Sequence, residues 1–128
     1  MKIIEAIIRM AKINETKIAL AAAGLPSFMA SGEVQGRGRG RGIGPRYQEI
    51  MNDPELSETL KETMGAEPRL KTKRMLTIVV TDEKLDLAIE TIIKVNKTGN
   101  SGDGKIFVQP VAESLQVRTG DSGDKVLD

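Results

Sequence analysis

RMLTIVVTDEKLDLAIETIIKVNKTGNSGDGKIFVQPV, residues 74–111, decides the fold. Its first seven residues are rich in Val, Ile and Thr and read as a strand. From Thr81 the period lengthens: Leu85, Ala88, Ile89 and Ile92 recur at helical spacing and form one apolar stripe. Thr81 or Asp82 is placed to cap this helix. Asp82 and Glu83 lie at the positive end of its dipole, and Lys94 and Lys97 near the negative end. A glycine-rich turn follows, and KIFVQPV is a second strand.

The same grammar opens the chain. Residues 2–9 are Ile-rich and bounded by polar sequence, a mostly buried strand. Asn14 is expected to cap the following Ala-rich helix, with Ile13 and Ile18 as a hydrophobic staple. Gly24 is the expected left-handed stop, with Pro26 just beyond. Residues 28–35 form a weaker strand candidate interrupted by Gly32, and LQVR, 115–118, reads as a short last strand. The order strand–helix–strand, strand–helix–strand predicts an α+β fold of the ferredoxin-like split βαβ kind, βαββαβ, in a single domain. Both helices then cover one face of an antiparallel sheet; an apolar opposite face needs a cover, and oligomerisation supplies one.

Composition excludes several chemistries. With no Cys and no His among 128 residues there is no disulfide framework, thiolate or imidazole zinc site, or Ser-His catalysis. Net charge is +1, so no global field recruits a polyanion. The N-terminal run is broken by Glu5 and Arg9, too short and too charged to enter a membrane. A soluble cytoplasmic protein is the expectation.

Between the two halves, residues 36–72 are too long for an ordinary connection. GRGRGRGIG, 36–44, reads as either an RNA-binding Arg-Gly arm or the lip of a phosphate site. Phe28, Tyr47 and Phe107 are the only aromatics, which disfavours a platform for stacked bases. Further on, NDPELSETLKETMG carries its own helix signals: Asp53 as cap, Pro54 in the first turn, Gly65 as stop. Leu56, Leu60 and Met64 fall on one narrow apolar line, the candidate surface for a partner protein. GNSGDGK, 99–105, has Walker spacing, yet Ile106 stands where a Mg²⁺-binding hydroxyl is needed and a strand follows instead of a helix. An ATP-hydrolysing P-loop is therefore disfavoured. What survives is a set of glycines able to turn backbone N–H groups toward an anion, with Lys105 adding charge; an ordinary glycine turn remains the plainer alternative.

IIEAIIR (3–9), GRGRGRG (36–42), Lys73, TGNSGDGKIFV (98–108) and VRTGDSG (117–123) together resemble the nitrogen regulatory protein P-II family. The resemblance implies a non-enzymatic ferredoxin-like trimer that binds ATP or ADP in clefts between subunits, senses 2-oxoglutarate with Mg²⁺, and acts through a mobile T-loop. It places the T-loop at about 37–72, the phosphate loop at about 98–105 and a C-terminal loop at about 117–128. It assigns Gly36, Arg37, Gly38 and Arg39 to the T-loop base, with Gly42 and Arg41 completing that motif. It assigns Gly102, Asp103, Gly104 and Lys105 to the phosphate loop and Lys73 to the terminal phosphate or the 2-oxoglutarate carboxylate. Arg118 is assigned to a neighbouring subunit's cleft, and Ile7 and Val79 to the cleft wall, although simple core is the plainer reading of those two. Gly40 stands where the family has a Gln that helps hold Mg²⁺ and 2-oxoglutarate, and Gln116 where it has a second Arg; both changes remove polar contacts. Tyr47 lacks the usual context for uridylylation. The long loop is similar to that of the nitrogenase switch-off branch, whose members work as hetero-oligomers of two P-II-like subunits on dinitrogenase. An ordinary member acting on an ammonium channel or glutamine synthetase is the alternative.

Overall fold

Alternation along the first strand, β1 (Lys2–Arg9), sorts its residues between two environments: Ile4, Ala6 and Ile8 are buried, while their neighbours are partly covered. The computed structural model describes residues 1–36, 52–55, 58 and 70–127. After β1 come α1 (Ile13–Ala22), β2 (Met29–Gly36), β3 (Lys71–Val80), α2 (Leu85–Asn96) and β4 (Lys105–Pro110). The strands form one sheet in the order β2-β3-β1-β4. β1 is central and antiparallel to both neighbours, with Ile4 opposite Ile78 and Val108, and Ile7 opposite Met75 and Lys105. This is the ferredoxin-like α+β fold. The chain divides into two compact units, residues 1–34 with 73–128 and residues 35–72.

Both helices pack on the face of the sheet bearing Ile4, Ala6, Ile8, Leu76, Ile78 and Val80. α2 contributes Ala88 and Ile92 to this core, with Leu85 and Ile89 against it, as its stripe predicts. α1 ends in a Schellman motif. Gly24 has φ 84°, its N–H donates to Ala21 O (3.0 Å), and the Leu25 N–H donates to Leu20 O (2.9 Å). Leu20 and Leu25, the apolar pair that accompanies such a stop, are both buried.

The start of α1 differs from expectation. A 3₁₀ turn, Met10–Lys12, runs from β1 straight into the helix, so Asn14 is an exposed residue inside it and caps nothing. Ile18 is 71% exposed and cannot form the staple with Ile13, which is buried. The extended cap position is Arg9, ahead of the 3₁₀ turn, so the helical run has begun before Asn14 is reached; the Thr16 hydroxyl donates back to Lys12 O at 2.7 Å. α2 is likewise preceded by a 3₁₀ turn, Asp82–Lys84, for which Thr81 is the cap position without a side-chain bond. Residues 115–118 do not form a strand; a single bridge, Leu115 to Ser122, closes a terminal loop.

In the second unit the Asp53 carboxylate accepts the Glu55 N–H at 3.0 Å, the bond a capping residue makes. Leu56, Leu60 and Met64 lie outside the described residues, as do Arg37, Gly38 and Arg39.

Candidate functional site

The segment between α2 and β4 turns on glycines. Gly99, Gly102 and Gly104 have φ of 86°, 96° and 119°, a region that side-chain-bearing residues rarely enter. Gly104 has a second constraint: a Cβ there would stand 2.0 Å from Ile7 O, so the loop is pressed against the backbone of β1. A Cβ on Gly102 would meet Arg9 Nη2 at 3.4 Å and Lys73 Nζ at 3.5 Å. Two cations therefore sit beside that glycine.

Asp103 organises the loop. One carboxylate oxygen accepts from the Thr98 hydroxyl and from Arg9 Nη1 (2.6 Å); the other accepts the Thr98 N–H (2.8 Å) and the Gly99 N–H (2.9 Å). The Thr98 hydroxyl and N–H, with help from Arg9 and Gly99, hold the Asp103 carboxyl well below the usual carboxylate range. A carboxylate so stabilised in its charged form is a poor proton acceptor, which argues against a role as general base. Its position in the loop was legible in the sequence; that both of its oxygens face inward was not.

Arg9 and Lys73 face each other across β1 and β3. Like charges directly opposed on a sheet repel, and here the loop separates their tasks. Arg9 Nη2 donates to Ser101 O at 3.1 Å, while Lys73 Nζ donates to Gly102 O at 2.8 Å. Lys105 follows at the head of β4, opposite Ile7. The structure thus brings together Lys73, Gly102, Asp103, Gly104, Lys105 and Ile7. Val79 pairs with Ile3, four residues and about 13 Å further along the strands, at the far end of the same sheet face.

Arg118 stands apart, exposed on the terminal loop. That loop is closed by Gln116 N–H to Asp121 O and Gly120 N–H to Gln116 O, both 2.7 Å, and Gly123 N–H to Ser114 O, 2.9 Å. Gln116 has its side-chain oxygen taken by the Thr119 hydroxyl at 2.9 Å. Gly36 closes β2 in the second unit.

Arg9 is the residue that sequence reasoning missed. As the last residue of an Ile-rich strand it looks like a solubilising charge; its partner Asp103 is 94 positions away, beyond any local pattern. The only available signal was its place as the last residue of the IIEAIIR motif. A cavity of about 280 Å³ also borders the loop, on the helix side of the sheet between Ile8, Ile92, Ile93 and Ile106. Its walls are mostly apolar, with Lys97 and Lys105 at the loop side, whereas Arg9 and Lys73 gather around Gly102. Among the described residues no three acidic, His or Cys side chains cluster as a metal site, and no helix is long and apolar enough to cross a membrane.

Exposed glycine backbone, the Arg9 and Lys73 cations beside it and a carboxylate turned inward are the parts an anion cradle would use. The residues present fit the phosphates of a nucleotide. Comparisons with known proteins bear on this. The family profile of nitrogen regulatory protein P-II matches residues 1–121. The nitrogen fixation nifHD region GlnB-like protein 2 of Methanobacterium ivanovii is 46% identical over 128 residues, covering 99% of each chain. Nitrogen regulatory protein P-II 2 of Methanothermobacter thermautotrophicus is 43% identical, over 99% of this chain and 97% of its own. Nitrogen regulatory protein P-II of Nostoc punctiforme is 37% identical, over 99% and 100%.

Proposed function

The chain belongs to the nitrogen regulatory protein P-II family, whose members are regulators, and on that footing we propose that it is a nucleotide-dependent switch governing nitrogen fixation. ATP or ADP binds with its phosphates against Gly102–Lys105, Lys73 meets the terminal phosphate, and Ile7 and Val79 line the wall of the cleft. The family resemblance adds Gly36, Arg37, Gly38 and Arg39 to the nucleotide-binding residues. The observation that carries this reading is the pairing of two cations, Arg9 and Lys73, with the backbone of Gly102, whose φ of 96° side-chain-bearing residues rarely adopt.

The cleft is completed between protomers. Apolar Ile3 and Ile7 lie on the sheet face away from the helices, where Phe107 is 48% exposed, which supports a trimer or a hetero-oligomer with a related P-II-like subunit. Arg118, presented on its own closed loop, reaches the neighbour's phosphates. The nucleotide supplies the charge that lets Arg118 approach Arg9 and Lys73, since without it these cations repel. Nucleotide occupancy then shifts the populations of loop conformers, and only some of them dock on the target. The nifHD-region names of several relatives favour dinitrogenase as that target. Leu56, Leu60 and Met64 form the contact, and 2-oxoglutarate with Mg²⁺ modulates it, more weakly than in relatives that keep a Gln where Gly40 stands.

A calorimetric titration of the purified chain tests the proposal. ATP and ADP are expected to bind, and 2-oxoglutarate with Mg²⁺ to change ATP affinity by less than about tenfold, the lower part of the usual coupling range. Absence of heat and of competition with either nucleotide would remove the nucleotide switch.

A further inference from the structure

We propose that Arg9 is the positioning residue of the phosphate loop, its guanidinium joining the Asp103 carboxylate to the Ser101 carbonyl and so fixing residues 98–104 in the shape that admits a phosphate. This rests on the reading above that the loop takes a nucleotide phosphate. The guanidinium is a rigid planar fork whose two terminal nitrogens are used separately, Nη1 for Asp103 and Nη2 for Ser101 O. An ammonium has no such fork, so Lys73, whose Nζ donates to Gly102 O, supplies a different restraint.

The chain of contacts runs through the whole loop. Arg9 holds Asp103; Asp103 holds the N–H groups of Thr98 and Gly99 and the Thr98 hydroxyl. The entry and exit of the loop are thereby tied to each other, and both to the end of the central strand. The Arg9 and Asp103 side chains are 30% and 23% exposed, covered enough for a charge-assisted bond to outweigh a surface pair. Gly99, Gly102 and Gly104 would otherwise leave the loop with much freedom to lose when ligand arrives. Fixing the loop beforehand spares the ligand that loss, which is how preorganisation raises affinity.

Direct contact between Arg9 and phosphate is the competing role, and the two separate in a mutant cycle. ATP affinity by calorimetry and amide exchange at Thr98 and Gly99 are measured for the full chain and for Arg9→Ala, Arg9→Lys, Asp103→Asn and the Arg9→Ala/Asp103→Asn double variant. Each single alanine or asparagine change is expected to speed exchange at both amides and to weaken ATP binding about tenfold, the scale of one charge-assisted bond. The double variant is expected to bind no more weakly than the weaker single, because both act through one link. Arg9→Lys recovers less than half of the loss. Unchanged exchange in Arg9→Ala overturns the proposal, and so do additive losses in the double variant, which would mark Arg9 as a ligand of the phosphate. Should the unaltered chain bind no nucleotide, the functional reading falls, while the exchange data alone still decide whether Arg9 fixes the loop.

Discussion

Gly104 carries two restraints at once, a positive φ and a backbone carbonyl where its Cβ would be. Gly104→Ala must therefore move the loop away from Ile7 or strain it, at a cost of about 1–3 kcal/mol. Urea denaturation reads that loss, and calorimetry is expected to show ATP affinity falling with it. Asp103 makes a prediction in pH. Its carboxyl titrates lower in the folded chain than its ordinary value of 3.8. Its contribution to stability is therefore full above that ordinary value and is lost as acid drives the pH down toward the folded one. Denaturation midpoints recorded between pH 6 and 2.5 are expected to fall less steeply below pH 4 in Asp103→Asn than in the unaltered chain. Parallel curves would show that the inward-facing carboxylate contributes nothing across that range.

Among the elements, α2 was legible because its stripe obeys a period: Leu85, Ala88, Ile89 and Ile92 meet the sheet where the spacing puts them. Gly24 was legible too, since only a left-handed stop explains glycine before an apolar Leu25. Asn14 misled because capping preference is a local signal, and here the helical run starts earlier, in the 3₁₀ turn that leaves Arg9. LQVR misled for a related reason: an apolar-polar alternation of four residues also fits an exposed loop, and Val117 is fully exposed. Asn96 is a second residue that pattern could not assign. It lies at the end of α2, 5% exposed, and its amide donates to Thr16 Oγ1 (3.0 Å) and Ile92 O (2.8 Å), joining α1 to α2 just before the phosphate loop. Its Oδ1 has no partner among the described residues. Asn96→Ala should thus lose two bonds but also relieve one buried orphan, for a net destabilisation of about 1 kcal/mol; a loss above about 3 kcal/mol in urea would show that the helix pairing depends on this amide far more than its bonds imply.

At the scale of the whole molecule, the phosphate loop and Arg118 belong to separate parts of one chain, and the proposed site joins them only between protomers. The family motifs were readable in sequence because each is short and contiguous. How many copies assemble was not, since an exposed Phe107 beside half-buried Ile3 and Ile7 on the sheet face away from the helices states a need for cover without naming its source. Mixing provides a test in solution. Lys73→Ala and Arg118→Ala chains, each expected to bind ATP at least tenfold more weakly alone, should regain some high-affinity sites when unfolded and reassembled together. No regain on mixing would place both residues' action within a single chain. A crystal structure of the full chain grown with ATP goes further. The phosphates are expected within hydrogen-bond distance of Gly102–Lys105 and Lys73 of one protomer and of Arg118 from its neighbour, with Asp103 still turned toward Arg9 and Thr98. Phosphates bound elsewhere, or Arg118 left in solvent while the loop is occupied, would contradict the account.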